Sequence, residues 1–433
     1  MKRNVVLFIG IAIGLSVALM GCDLLDTNRQ DDSRAIDNGI DEITICNPVP
    51  DKEVASIPLT RSQKSSVTGG NDFAFKMLGQ INSRSESSFI FSPISVALDL
   101  SMVAAGTSDS AEEILNALGY EGKDVSELNA YCKAIIEGLA AVDLSTKFKL
   151  SNAVLVCDAF SVKDSFKKTI QDNYYGAVEA MPFSDKDKTL RIINEWVNKN
   201  TEGLIPQLLD NINPQTLACM LNAVYFKAQW QNQFNPELTN DGIFHSPDED
   251  VTTAFMTQQL NCGYAENDLF SCVSLPLGEK GRFSMTMVLP GPGKELNDII
   301  DEIQNTGWES LTGSMKNEDV IVKIPKLSLN SKFELIPLLE SVGIKRVFSG
   351  ANFDLMLEQE PAILRIHEAF QKATITLDEN GIEAAAATYF GMKGIMPLEH
   401  KQYSFTADRP YVFCIHENSS KAIIFAGVNN GHK

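Results

Sequence analysis

The amino-acid sequence predicts an α+β fold built as one large unit. Segments with helical and with strand periodicity are interspersed without regular β-α-β alternation, which argues against a doubly wound parallel sheet. The string TLACMLNAVYF (216–226) is nearly all apolar, as a strand covered on both faces would be. From about Val67 onward the patterning stays globular, with no second linker and no internal repeat.

Taken in order, Ala74, Met77, Leu78 and Ile81 recur at helical spacing. Ser92 is placed to cap a helix whose first turn holds Pro93 and which runs through ISVALDLSMVAAG. Ser110 and Glu113 form a candidate capping box for AEEILNAL. A later helix spans roughly 188–201, with Ile193, Trp196 and Val197 on one face and Gly203 beyond its end. FSMTMVLP, VIVKIPKLSL, ATITLD, YVFCIH and AIIFAGV read as further strands. Asn222 is the polar exception within 216–226 and must find hydrogen-bond partners there.

Of the 433 residues, 44% are hydrophobic, enough for a full-sized core. The net charge of −19 repels phosphate backbones, so nucleic acid is not an expected partner. Lys2 and Arg3 precede an apolar run from Val5 to Met20, short for a membrane span and typical of an export signal. Leu19-Met20-Gly21-Cys22 resembles the bacterial lipobox, which implies that Cys22 becomes a lipidated N-terminus. The expected organisation is a signal peptide over 1–21, a flexible acidic tether over 22–66 and a folded domain over 67–433. Of the eight Cys, seven remain beside Cys22, in no metal-binding spacing. Several sit in apolar strings as small hydrophobes, and Cys262 and Cys272 could pair.

Several segments, in order and covering nearly all of 70–430, resemble the serpins, a family of serine protease inhibitors. They are FIFSPISVALDLSMVAAGTSDSAEEIL, INEWVNKNTEG, LNAVYFKAQWQNQF, IPKLSL, KATITLDENGIEAAAAT, FTADRPYVFCI and IIFAGVNN. The resemblance implies three β-sheets, about nine helices and an exposed reactive centre loop. It also implies a metastable fold, in which the loop sits outside the main sheet and its insertion as an extra strand is downhill.

Glu379-Asn380-Gly381-Ile382-Glu383-Ala384-Ala385-Ala386-Ala387-Thr388 resembles the inhibitory hinge. Alone, EAAAAT favours a helix; the neighbouring Gly381, Tyr389, Phe390, Gly391 and Gly394 weaken a long one. As a strand, Ile382, Ala384, Ala386, Thr388, Phe390 and Met392 share an apolar or small face, and Glu383, Ala385, Ala387, Tyr389, Gly391 and Lys393 share the other. Family spacing places the scissile bond at Ile395-Met396, which suits elastase-like or chymotrypsin-like pockets. The alternative, Lys393-Gly394, suits a trypsin-like one. Ile382 departs from relatives, which usually carry Thr or another small residue there.

The resemblance further implies control of sheet opening by a Glu379–Lys326 salt bridge, by packing on Trp230, and by a polar cluster of Ser92, Ser95 and Asn222. Gln371 stands where relatives commonly place a His, keeping the hydrogen bonding without the titration. The implied function is a suicide-substrate inhibitor of serine proteases, which traps the acyl-enzyme by inserting its cleaved loop. A non-inhibitory member, acting as a binding or carrier protein, is the alternative. No GxSxG, HExxH or P-loop is present, and none of the five His lies beside a nucleophile motif, so an enzyme is not expected. The expectations close with no cofactor, serine proteases as partners, a membrane contact through the lipid, a monomer, and an exported protein anchored to an envelope membrane.

Overall fold

The computed structural model describes residues 42–44, 47–50, 52–214, 216–359, 363–366, 369–382 and 402–431. Cys22 and residues 383–401, which include Glu383 to Thr388, Lys393, Gly394, Ile395 and Met396, lie outside the described residues.

The chain begins with α1 (Arg61–Asn82), β1 (Phe89–Phe91), α2 (Pro93–Gly106), α3 (Ala111–Ala117) and α4 (Val125–Ala141). Next come β2 (Lys147–Cys157), α5 (Asp164–Tyr174), β3 (Ala177–Met181), α6 (Lys186–Asn200) and β4 (Ala218–Gln229). Strands then dominate with β5 (Asn240–His245), β6 (Asp250–Glu266), β7 (Phe270–Leu277) and β8 (Phe283–Pro290). After α7 (Leu296–Thr306) and α8 (Trp308–Ser314) run β9 (Lys316–Pro325), β10 (Leu327–Glu334), α9 (Ile336–Ser341), α10 (Arg346–Ser349), β11 (Ala351–Asn352) and β12 (Ile363–Leu364). The last elements are β13 (Phe370–Asp378), β14 (Gly381–Ile382), β15 (Tyr403–Thr406), β16 (Tyr411–Glu417) and β17 (Ile423–Asn429).

The described residues form ten α-helices and three sheets, an α+β architecture as the sequence predicts. The largest sheet orders β1-β17-β16-β8-β7-β6-β9-β15, with β5 on β6. A six-stranded sheet orders β10-β13-β14-β4-β2-β3, and β11 pairs with β12.

The six-stranded sheet is covered on both faces. Leu221 and Ala223 of β4 join Ile192, Ile193, Trp196 and Val197 of α6 on one side. Phe226 and Ala228 face the main core on the other, where α2 lies. This double cover is why the sequence of β4 is almost continuously apolar. Pro93 opens α2 and Ser92 caps it by accepting from the Ser95 N–H at 3.4 Å. Every residue of α2 is buried except Asp99 and Ala105.

Three expectations need correction, and one open possibility, the Cys262–Cys272 pair, is closed. Ser110 precedes α3, yet its hydroxyl donates to Asp109 at 2.9 Å and makes no cap bond, and Glu113 accepts from the Arg346 N–H at 2.8 Å. A tertiary partner has displaced the local box. The folded unit also starts before Val67. Thr60 and Gln63 box the start of α1 at Arg61, and upstream Ile57 and Ile43 are 5% and 3% exposed. Ile57 packs on Gly138 of α4, where a Cβ would come within 2.3 Å of it, and Ile43 joins the cluster under α6. Ile43, Ile57 and the start of α1 are therefore packed against the domain, while Val49 between them is exposed. Cys262 and Cys272 are both free and buried; the register sets Cys272 opposite Ala265 and Cys262 opposite Glu318. Finally, VIVKIPKLSL is two strands in two sheets, β9 and β10, with Lys326 at the crossing.

Candidate functional site

The site is the upper end of the six-stranded sheet, where β13 turns into β14. Asp378 accepts from the Asn380 N–H at 2.7 Å, closing an Asx turn. Gly381 follows with φ of 137°, and a Cβ there would meet the Ala228 carbonyl at 2.3 Å, so only glycine fits. Gly381 and Ile382 pair backward with Asp378 and Leu377, and sideways with Gln229 and Ala228. β14 therefore lies between β13 and β4 and holds them apart by a strand's width at this level. Ile382 is 2% exposed, within the main core.

Trp230 and its neighbours clasp the turn from the side. The Trp230 indole N–H donates to the Asp378 carbonyl and its backbone N–H to that of Asn380, each at 2.9 Å. The Phe234 N–H donates to the Glu379 carbonyl at 2.9 Å, and the Phe234 ring meets Trp230 edge to face at 5.8 Å. Glu379 accepts from Lys326 at 2.8 Å and from the Thr239 hydroxyl at 2.7 Å. Its side chain is 9% exposed against 41% for Lys326. Burial alone would raise the Glu379 carboxyl, but the Lys326 and Thr239 hydrogen bonds outweigh it and hold the group below its usual range.

Lower in the sheet, a second polar system ties the strands to α2. Gln371 of β13 accepts from the Ser92 N–H and donates to the Ser92 carbonyl, both at 2.9 Å. The Ser92 hydroxyl donates to the Ile424 carbonyl at 2.8 Å. The Ser95 hydroxyl donates to Asn222 at 2.6 Å, Asn222 donates to Asn152, and Asn152 donates to the Tyr174 carbonyl at 2.7 Å. The predicted residues thus fall in two groups, one of Glu379, Gly381, Ile382, Lys326 and Trp230, the other of Ser92, Ser95, Asn222 and Gln371.

Sequence reasoning missed Thr239 and Phe234, which carry no local signal. It also missed Asn152, whose signal was available: like Asn222, it is an amide inside an apolar string, LSNAVLVC. His245 is exposed beside Asp250 at 2.8 Å, and His416 is buried against Thr286 at 2.9 Å. Neither neighbours the sheet opening's polar groups in any described hydrogen bond. Among the described residues no cluster of three or more metal-binding side chains occurs.

The model of the family described as "Serpin (serine protease inhibitor)" matches residues 68–430. Serpin-ZX of Arabidopsis thaliana is 30% identical over 361 residues, 79% of this chain and 91% of that protein. The alpha-1-antiproteinase of Rattus norvegicus is 28% identical over 368 residues, 82% of this chain and 86% of its own length. The solved structure of Arabidopsis AtSerpin1 in its native stressed conformation superposes with a TM-score of 0.75 at 27% identity, covering 86% of this chain and 98% of that one. Matched from residue 68 to residue 430, and by relatives along most of their own length, the chain belongs to the serpin family.

Proposed function

We propose that this protein inhibits serine proteases as a suicide substrate. The observation that carries the reading is the position of Gly381 and Ile382 between β13 and β4. A third strand can grow only if its two neighbours part, and the first hinge residues already part them. Counting on from Ile382 in an unbroken ladder sets Ala384 opposite Phe226 and Ile375, and Ala386 opposite Val224 and Ala373. Thr388 then arrives between Asn222 and Gln371, within the polar system on Ser92 and Ser95. The inward face of the loop is small where the sheet is already filled and polar where the sheet is polar. Ile382, large for this position, is accommodated in full.

The target supplies the chemistry: its Ser attacks the bait carbonyl at Ile395, or at Lys393, and forms an acyl-enzyme. Insertion of the cleaved loop adds strand hydrogen bonds worth about 0.5–1.5 kcal/mol each. Over the loop, with side-chain burial, that totals on the order of 10–20 kcal/mol. Losing one oxyanion-hole donor costs a protease about 3–4 kcal/mol of transition-state stabilisation. The drive exceeds what deacylation withstands.

The test is incubation with elastase-like, chymotrypsin-like and trypsin-like proteases. Complexes that survive SDS support inhibition; clean cleavage without complexes returns the protein to the carrier reading. The mass of the released C-terminal fragment locates the bond, starting at Met396 or at Gly394.

The lipobox resemblance at Leu19–Cys22 supports a lipid-anchored, exported protein at an envelope membrane. Cys22→Ala should release it from membranes or block its maturation. A mutant that partitions into detergent as the parent does would refute the anchor.

A further inference from the structure

We infer that Asn380 is a site of spontaneous covalent modification, at which loss of ammonia rearranges the turn that seats Gly381 and Ile382. Asn380 precedes Gly381, and in an Asn-Gly pair the attack meets no Cβ on the second residue. The Gly381 backbone nitrogen, giving its proton to solvent, attacks the carbonyl carbon of the Asn380 side chain. The new C–N bond closes a five-membered imide ring. The bond to the side-chain nitrogen breaks, and that nitrogen leaves as ammonia. Water then opens the ring at either carbonyl. One opening gives aspartate; the other gives isoaspartate, in which the main chain runs through the former side chain. Water is the only reagent consumed, and nothing is oxidised or reduced.

The chain holds three Asn-Gly pairs, starting at Asn38, Asn380 and Asn430. Asn38 lies outside the described residues, and the other two differ in how their side chains are held. Asn430 is 4% exposed, and its amide donates to the Glu86 carbonyl at 3.0 Å. Swinging it over the following peptide would break a buried hydrogen bond. Asn380 is half-buried at the turn between β13 and β14. Its backbone is fixed at both ends: its N–H donates to Asp378 at 2.7 Å, and its carbonyl accepts from the Trp230 N–H at 2.9 Å. Among the described residues no hydrogen bond reaches its side-chain amide. Closing the ring therefore breaks no side-chain hydrogen bond at Asn380 and breaks one at Asn430.

The surroundings turn a small chemical change into a displacement. Either product places a third carboxylate on a turn that already carries Asp378 and Glu379. Isoaspartate also lengthens the main chain by one carbon, about 1.5 Å. Gly381 has no room to absorb that length, since a Cβ there would already meet the Ala228 carbonyl at 2.3 Å and the Trp230 nitrogen at 2.7 Å. The carbonyl that Trp230 clasps becomes the pendant carboxylate. Gly381 and Ile382 then leave their places beside Gln229 and Ala228. The modification acts as a clock on the hinge: the older the molecule, the larger the fraction whose hinge is undocked. Its effect on protease trapping rests on the inhibitory reading above; the chemistry and the undocking do not.

The experiment ages the folded full chain in warm, mildly alkaline buffer, beside Asn380→Gln, whose ring closure would need six members. The three Asn-Gly pairs fall on separate tryptic peptides, so each is read alone. The peptide holding Asn380 should show the one-dalton gain of NH2 replaced by OH several-fold faster than the peptide holding Asn430, and isoaspartate-specific methylation should label it. The same peptide of Asn380→Gln should stay unlabelled. Amide hydrogen exchange over 377–382 should rise several-fold in the aged parent, which should also consume several-fold more inhibitor per protease trapped. Aged Asn380→Gln should keep the values it had when fresh, which separates Asn380 from changes elsewhere in the chain. If Asn380 converts no faster than Asn430, the site is refuted. If the labelled parent exchanges over 377–382 as the fresh parent does, the undocking is refuted. A fresh parent that traps no protease overturns the inhibitory reading alone, because labelling and exchange are read without a protease.

Discussion

Lys326 reaches Glu379 at 2.8 Å from the single residue at which the chain passes from one sheet to the next. The lysine is fixed by its own backbone, whose N–H donates to the Ala254 carbonyl at 2.9 Å. The glutamate is fixed by the turn that Trp230 and Phe234 clasp. The pair thus fastens the start of the hinge to the junction between two sheets.

Glu379→Gln tests that fastening through pH. The Glu379 carboxyl lies below its ordinary value of 4.5 in the fold. Its contribution is therefore complete above about pH 4.5 and is lost as the pH falls through the lowered value. The variant should lose about 1 kcal/mol at pH 7, because Lys326 is partly exposed, and the deficit should shrink as the pH falls below 4.5 and the carboxyl protonates. Denaturant midpoints followed from pH 7 downward through the acidic range check this; a deficit that does not change with pH would mean the ionised pair contributes nothing.

Asp99 reverses the sign. It is one of two residues of α2 that are not fully buried, yet its Oδ1 is shielded from solvent and has no partner. Burial pushes its pKa up to about 8. An acid whose folded value is raised costs stability progressively between its unfolded value of 3.8 and about 8. Asp99→Asn should stabilise the protein at pH 7 and have little effect at pH 4, read from melting temperatures at both. A variant that destabilises at pH 7 would show that the carboxylate is solvated.

Gln371→Leu removes both hydrogen bonds to the Ser92 backbone and leaves a buried N–H without a partner. The expected loss is about 1–3 kcal/mol in equilibrium unfolding. Gln371→His should restore most of it near neutral pH and make stability fall on acidification, a dependence the parent lacks at this position.

What the sequence made legible was local repetition. α2 and β4 could be read because burial on all sides leaves an unmistakable apolar string, and the ATITLD part of β13 because Ala373, Ile375 and Leu377 alternate with polar residues. Ser110 with Glu113 looked like a cap because the spacing is right, but the Arg346 backbone offered Glu113 a better partner. Ile43 and Ile57 were lost in a polar segment because one apolar residue has no period. The site divided in the same way. Glu379, Lys326 and Trp230 were found through resemblance, whereas Thr239 and Phe234 join the site only once distant segments meet.

Ile43→Ala measures how far the early segment belongs to the fold. Ile43 is 3% exposed against the α6 cluster, and the neighbouring Glu42 meets Lys199 of α6. Truncating a buried isoleucine costs about 2–5 kcal/mol, at the lower end where the surroundings can collapse. A loss under 0.5 kcal/mol in denaturant unfolding would return 42–50 to the status of a tether.

Ala386→Pro tests the trap. Continued insertion sets Ala386 between Val224 and Ala373, facing inward in the middle of the new strand. Proline there removes a ladder donor and fixes φ, which a central strand tolerates poorly. The described ladder ends at Ile382, four residues earlier, so folding and the docking of Gly381 and Ile382 should be unaffected. The protease should still recognise and cut the same bond, since the substitution lies nine residues from Ile395. After acylation the loop should enter as far as Ala384 or Ala385 and stall, and deacylation should then outrun insertion. The variant should therefore behave as a substrate: cleaved to completion, without SDS-stable complexes, and without the gain in melting temperature expected of the cleaved parent. Complexes formed at the parental stoichiometry would show that insertion past residue 386 is not what traps the enzyme.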